Sequence, residues 1–159
     1  MSNLKIDKII VHDDENIKGF FYEYRWLSNY HDCFISYYGL NFLNTESAYQ
    51  AMKCKTLQQA KTFCQLSGLE AKKLSKVISI RAYWDKIRYN IMSELVFQKY
   101  LLHKDLREKL LATGDKYIEE TNYWDDVYWG VCDGVGENNL GKITMAVRAY
   151  FRALEDGNN

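Results

Sequence analysis

Apolar side chains recur along this chain in two rhythms, and the change from one to the other predicts its architecture. The first third is strand-like. "KIDKIIVH" and "FFYEY" concentrate β-branched and aromatic residues, and "CFISYYGLNFL" reads as two short strands turning at Tyr38-Gly39. Helical spacing then takes over. The pattern predicts helices over 45–54 and 57–66 and a third over "LEAKKLSKVI", with Gly68 as the break before it. From Trp84 the apolar positions Ile87, Ile91 and Leu95 keep a 3.6-residue period, which predicts a long amphipathic helix to about Leu102. "KDLREKLLATGD" is a further helix with Gly114 at its expected stop, and "KYIEET" a short strand. The loop "NYWDDVYWGVCDGVGEN" precedes a last helix striped by Leu140, Ile143, Val147, Tyr150 and Leu154. The predicted class is α+β, mostly helical, with a small antiparallel sheet from the N-terminal third. Repeats, low-complexity tracts and Gly/Ser linkers are missing from the sequence, so a single domain over 1–159 is expected, with its core at about 20–154.

Composition narrows the class of function. A chain that is 47% hydrophobic and 26% charged is neither a disordered tail nor a fibre. Its apolar runs are far shorter than the roughly 20 residues that span a bilayer, and "MSNLKIDKIIVHDDEN" lacks the layout of a signal peptide, so a cytoplasmic protein without a membrane partner is expected. Twenty-one basic residues balance twenty-one acidic ones, which removes the global field that draws a protein onto nucleic acid without sequence preference. Cys33, Cys54, Cys64 and Cys132 form no CxxC pair, and His12, His31 and His103 are scattered. Buried thiols are therefore expected, with no metal and no cofactor. No serine sits in a nucleophile elbow.

Four segments carry candidate chemistry. In "NTESAYQAMKCK", Asn44 or Thr45 can cap a helix and place Glu46 in its first turn, with Gln50 and Lys53 following on the same face. The plain alternative is an acid decorating a helix start. In "YWDDVYWG", which holds Asp126, Trp129 and Gly130, flat aromatics beside carboxylates suit a nucleobase or sugar. An aromatic plug over the core, with aspartates capping a turn, accounts for the same residues. "DGVGENNLGK" places glycines before a helix, where backbone N–H groups can approach a phosphate. Its spacing matches neither a dinucleotide fingerprint nor a Walker loop, and an ordinary turn with an Asn helix cap accounts for it. In "YRWLSNYH", Arg25 can pair with a phosphate and Ser28 and Asn29 can hydrogen-bond, or the segment is a turn ahead of a hairpin.

Taken in order, "LSNY", "TESAYQAMK", "YWDKIRYNIM", "LREKLLATGDKYIEE", "DVYWG" and "NNLGKITMAVR" resemble the NADAR (NAD- and ADP-ribose-associated), or YbiA-like, family from about Phe20 to Leu154. The resemblance implies an N-glycosidase that cleaves a ribose–nitrogen bond, in riboflavin-pathway aminopyrimidines or in ADP-ribose attached to guanine. It places the catalytic acid on Glu46, a substrate-stacking tryptophan on Trp84 and a second acid on Asp126. Phosphate contacts are then expected from Arg25 and Lys53. Further substrate contacts are expected from Ser28, Asn29, Gln50, Trp129, Gly130 and Asn139. Ser47 stands where many members have histidine, and the family's common prolines are missing. The expected partner is a small nucleotide or ADP-ribosylated substrate, with modified guanine in DNA or RNA as a further candidate. A binding module that holds ADP-ribose or a nucleotide without cutting it is the competing reading, and a purely structural helical module is a third.

Overall fold

A computed structural model describes residues 3–157, so residues 1–2 and 158–159 of the expected 1–159 domain lie outside the described residues. The class is α+β. In chain order the elements are α1 (Asn3–Ile6), β1 (Val11–His12), β2 (Asn16–Lys18), a 3-10 helix (Tyr22–Leu27), β3 (Asp32–Tyr37), β4 (Leu40–Asn44), α2 (Thr45–Ala51) and α3 (Leu57–Ala60). There follow a 3-10 turn (Lys61–Phe63), α4 (Gly68–Leu74), α5 (Trp84–Leu102), α6 (Lys104–Ala112), β5 (Tyr117–Glu119), β6 (Thr121–Asn122), β7 (Val131–Cys132) and α7 (Asn139–Gly157). Contacts divide the chain into two compact units, Asn29–Lys104 and Met1–Ser28 with Asp105–Asn159.

In the first unit β3 and β4 form the expected antiparallel hairpin, with Tyr37 opposite Leu40, Ile35 opposite Phe42 and a bulge between Asp32 and Ile35. Tyr38 and Gly39 both take positive φ, the mirror-image turn that matches strand twist. Alternation puts Cys33, Ile35, Tyr37, Leu40 and Phe42 inside. β4 then runs into α2 without a loop. Asn44, its last residue, accepts a hydrogen bond from Ser47 N at 2.8 Å and so caps the helix. Every residue of α2 is buried, which makes it the centre of the unit, with α4, α5, β3 and β4 packed around it. α5 covers the predicted span, and its buried face runs through Trp84, Ile91, Met92, Leu95, Val96, Lys99 and Tyr100.

Two expectations here need correction. Residues 57–66 are not one helix but α3 followed by a 3-10 turn. Gly68 does not break a helix. It is the first residue of α4, whose N-cap Ser67 forms a reciprocal capping box with Glu70. Glycine is there because a Cβ would lie 2.8 Å from the Tyr30 ring and 3.3 Å from Glu46 Cβ.

The second unit is built on a three-stranded sheet of order β1-β2-β5, with β1 antiparallel and β5 parallel to β2. Asp13 makes the β1–β2 turn by accepting the N–H groups of Glu15 and Asn16 at 2.8 and 2.7 Å. α7 packs on β5, and Arg148 Nη1 ties it to Thr113 Oγ1 at 2.8 Å and to the Lys116 carbonyl at 2.9 Å. Three readings change. "KIDKIIVH" opens with α1 and contributes only Val11–His12 to a strand. "FFYEY" enters a 3-10 helix that buries Trp26 and Leu27, because Tyr22 at φ 51° turns the chain out of the extended region. The α7 stripe runs Leu140, Ile143, Val147, Phe151, with Tyr150 and Leu154 exposed, since the face advances by four residues rather than three after Val147. Among the described residues no helix is long and apolar enough to cross a membrane.

Candidate active site

The unit around α2 gathers five of the residues singled out by sequence. Glu46 is held at both ends. Its backbone N–H donates to the Asn29 carbonyl at 3.0 Å, and its Oε1 accepts from Gln50 Nε2 at 2.7 Å, one helical turn on. Asn29 is itself buried and donates from Nδ2 to Met92 Sδ at 3.3 Å. Glu46 as a whole is only 8% exposed, so it is not a solvated decoration of a helix start. Gln50 Oε1 is buried too, with no hydrogen-bond partner among the described residues. Such an orphaned acceptor is costly and calls for a donor.

Lys53 continues the strip from the turn after α2 and is half-buried. Burial pushes its ammonium below the usual lysine range, and the negative charge of Glu46 pulls it part of the way back. Its Nζ sits 5.5 Å from the Tyr49 ring centroid and 6.0 Å from that of Trp84. Those two rings are themselves 5.2 Å apart and tilted by 55°. Trp84, at 7% exposure, is therefore mainly a packing partner of Tyr49 that leaves only part of its ring uncovered. Ser47, where many family members have histidine, turns away from this strip. Its Oγ donates to the Leu66 carbonyl at 2.7 Å.

The other unit organises the remaining candidates around an asparagine that sequence reasoning passed over. Asn122 Oδ1 accepts the N–H groups of Trp124 and Asp126 at 3.2 and 3.1 Å, and its Nδ2 donates to the Asp126 and Val131 carbonyls at 2.8 and 3.3 Å. Asp126 extends the turn. Its Oδ1 accepts the N–H groups of Tyr128 and Trp129 at 3.2 and 2.8 Å. Gly130 has no room for a side chain, since a Cβ would meet the Glu120 carbonyl oxygen at 2.1 Å. Asn139, the first residue of α7, donates from Nδ2 to the Tyr128 carbonyl and to Glu137 Oε2, both at 2.9 Å. Asn138, also unread in the sequence, accepts from Glu120 N at 3.0 Å and donates to the Ile118 carbonyl at 2.9 Å. The only signal for either asparagine was a polar amide flanking a Gly- and Trp-rich loop. Arg25 is exposed on the 3-10 helix, and Ser28, its C-cap, is buried.

The structure thus brings together Asn29, Glu46, Gln50, Lys53 and Trp84 in one unit. In the other it brings together Asp126, Trp129, Gly130 and Asn139. The four cysteines are free, three of them buried. Among the described residues no group of three or more His, Cys, Asp or Glu is disposed to hold a metal ion.

Comparison with known proteins gives these clusters a context. The family model described as the NADAR domain matches residues 14–152. An N-glycosidase from Nostoc punctiforme is 43% identical over 76 residues, which is 47% of this chain and 48% of that protein. A riboflavin biosynthesis protein from Vibrio vulnificus is 34% identical over 151 residues, covering 92% of this chain and 39% of that protein. Escherichia coli YbiA, named as an N-glycosidase, is 35% identical over 71 residues, 43% of each chain. Its NMR structure superposes with a TM-score of 0.79 at 26% identity, covering 95% of this chain and 92% of that one. The matches span about half or less of the length of these curated relatives.

Proposed function

The chain belongs to the NADAR domain family, and from that premise we propose that it hydrolyses the bond between a ribose carbon and the nitrogen of a base. Breaking that bond builds positive charge on the sugar, so the reaction needs a fixed negative oxygen at the anomeric carbon. Glu46 supplies it. Its placement carries the reading: Glu46 is 8% exposed, its carboxylate accepts from Gln50 and its backbone N–H is fixed on the Asn29 carbonyl, so it needs little reorganisation when charge develops. The role proposed for Glu46 is that of base or nucleophile. The unpaired Gln50 Oε1 is the acceptor that a ribose hydroxyl would satisfy.

Lys53 is the proposed phosphate contact from the same strip, with Arg25 a second. The uncovered part of Trp84 is the proposed face for the base. Asp126 has one oxygen committed to two backbone N–H groups. Its proposed role is to hold the tryptophan loop in shape while the other oxygen orients the leaving group or water. Trp129, Gly130 and Asn139 support the same loop. The substrate class is an N-ribosylated or ADP-ribosylated base, and the chain's zero net charge favours a small molecule over a polymer.

The test is Glu46→Gln, assayed for released base on ADP-ribosylated guanosine, ADP-ribosylated DNA and a ribosylaminopyrimidine phosphate. The amide keeps the shape and the Gln50 contact but loses the charge. Turnover is expected to fall by about 10²–10⁴-fold with the melting temperature and substrate Kd unchanged. A variant that turns over at the parental rate removes Glu46 from the chemistry. A parent protein that returns every ligand intact is a binding module instead.

A further inference from the structure

A concavity lies in the Asn29–Lys104 unit, beyond the far end of α2 from Glu46. It encloses about 250 Å³ and is lined by the exposed tip of the hairpin at Tyr38, by Cys54, Lys55, Thr56 and Leu57, and by Arg81, with apolar side chains of α2 and α3 completing the floor. Glu46, Gln50, Lys53 and Trp84 are not among its walls.

The chemistry of the walls is one-sided. Lys55 and Arg81 both face the cavity, no Asp or Glu lines it, and neither cation has an ion-pair partner among the described residues. Arg81 is anchored there by its backbone, whose N–H donates to the Lys53 carbonyl at 2.8 Å. The carbonyls at the end of α2 do not compete for the cations as open acceptors. Those of Ala48, Gln50 and Ala51 already accept the N–H groups of Met52, Lys53 and Cys54. Thr56 Oγ1 accepts from Gln59 N at 3.2 Å, which leaves its hydroxyl proton to donate. The same lining includes an exposed aromatic ring, Tyr38, and a half-exposed leucine, Leu57.

We propose that this cavity binds a small organic phosphomonoester, with the phosphate between Lys55 and Arg81 and the organic part against Tyr38 and Leu57. Two unpaired cations beside one hollow repel each other, and a dianion relieves both at once through charge-assisted hydrogen bonds. The volume falls below the roughly 300 Å³ at which pockets for drug-sized ligands begin, so the organic part is one small ring or sugar. The buried Cys54 thiol, held above its ordinary range by burial, contributes shape and not reactivity.

The site stands apart from the proposed glycosidase chemistry, and its test separates the two. Phenyl phosphate, inorganic phosphate and benzyl alcohol are titrated into the full chain by calorimetry, with methyl NMR shifts followed at Leu57 and Ala60. Saturable binding of phenyl phosphate is expected, with weaker competition by inorganic phosphate, no binding of benzyl alcohol, and shifts at both methyl sites. The double variant Lys55→Gln/Arg81→Gln is expected to weaken phenyl phosphate at least tenfold at an unchanged melting temperature, while Glu46→Gln leaves its Kd as it was. The proposal is overturned if the parent shows no saturable binding, if the double variant binds as tightly as the parent, or if Glu46→Gln alone abolishes the binding.

Discussion

The helix that carries Glu46 and the loop that carries Asp126 reach rigidity by opposite routes. α2 is short, follows a strand without a linker and is buried on every side, so packing and one cap hold it. The 122–139 loop is exposed along 123–125 and 133–137 and buried mainly where it rejoins the fold. Side-chain amides take the place of packing along it. Asn122 and Asn138 each bridge two or more backbone groups, Asn139 ties the Tyr128 carbonyl to the Glu137 carboxylate, and Asp126 accepts two more backbone N–H groups. A packed helix can yield a little when one contact is disturbed. A hydrogen-bonded loop yields less, because one amide can serve several backbone groups at once, as Asn122 does. The contrast also bears on chemistry. The acid on the packed element accepts from the side-chain amide of Gln50, whereas the acid on the loop spends one oxygen on two backbone N–H groups.

Glycine substitutions expose this difference most strongly. Gly130→Ala drives a methyl group to 2.1 Å from the Glu120 carbonyl oxygen, a backbone atom that cannot move aside. A loss of about 3 kcal/mol is expected in chemical denaturation, with release of the Trp129 segment visible as a changed tryptophan emission. Gly68→Ala meets the Tyr30 ring at 2.8 Å instead. A ring can rotate away, so about 1–2 kcal/mol is expected, together with a measurable fall in turnover because Glu46 Cβ stands beside the same methyl. Equal losses at the two sites would remove the distinction between a yielding core and a loop that yields less.

Asparagine truncations come next. Asn122→Ala strands two backbone N–H groups and two carbonyls, and about 2–3 kcal/mol is expected. Asn44→Ala removes one cap bond and a 3.2 Å contact to the Leu66 carbonyl, but Ser47 Oγ still donates to that carbonyl. The expected cost is about 1 kcal/mol. The pair is read by urea denaturation at constant m-value, which keeps the comparison one of native-state bonds.

What the sequence revealed follows the same division. The β3–β4 hairpin, the start of α2 and the full length of α5 were legible because local periodicity, a two-residue turn and an Asn cap encode them. The placement of Glu46 and Gln50 on one face followed from helix geometry, whereas the helix expected to run to 54 ends at Ala51 and Lys53 sits in the turn after it. The parallel pairing of β2 with β5 was not legible, since Ile17 and Ile118 meet across a long stretch of chain that no local window spans. Nor was the work of Asn122 and Asn138, because an amide that organises a loop looks in sequence like any polar loop residue. "FFYEY" misled for a related reason. Aromatic content suits a strand, but the left-handed backbone at Tyr22 is a property of the folded turn.

The smallest effect probes the charge of Lys53, half-buried and influenced by Glu46. Burial holds the Lys53 ammonium below its ordinary pKa of 10.5, and Glu46 opposes that shift. A lysine whose folded pKa is depressed costs stability while it is charged in both states. As pH rises from the folded pKa towards 10.5, only the unfolded chain keeps the proton, and that cost is relieved. Lys53→Met carries no charge in either state, so it isolates this contribution from the tyrosines that titrate nearby. The variant is expected to be more stable relative to the parent at pH 7 than at pH 10.5, as read from paired denaturation curves across that range. An advantage that widens with pH would instead mean that the attraction of Glu46 outweighs burial, and that Lys53 is held as the partner of the acid rather than kept ready for a phosphate.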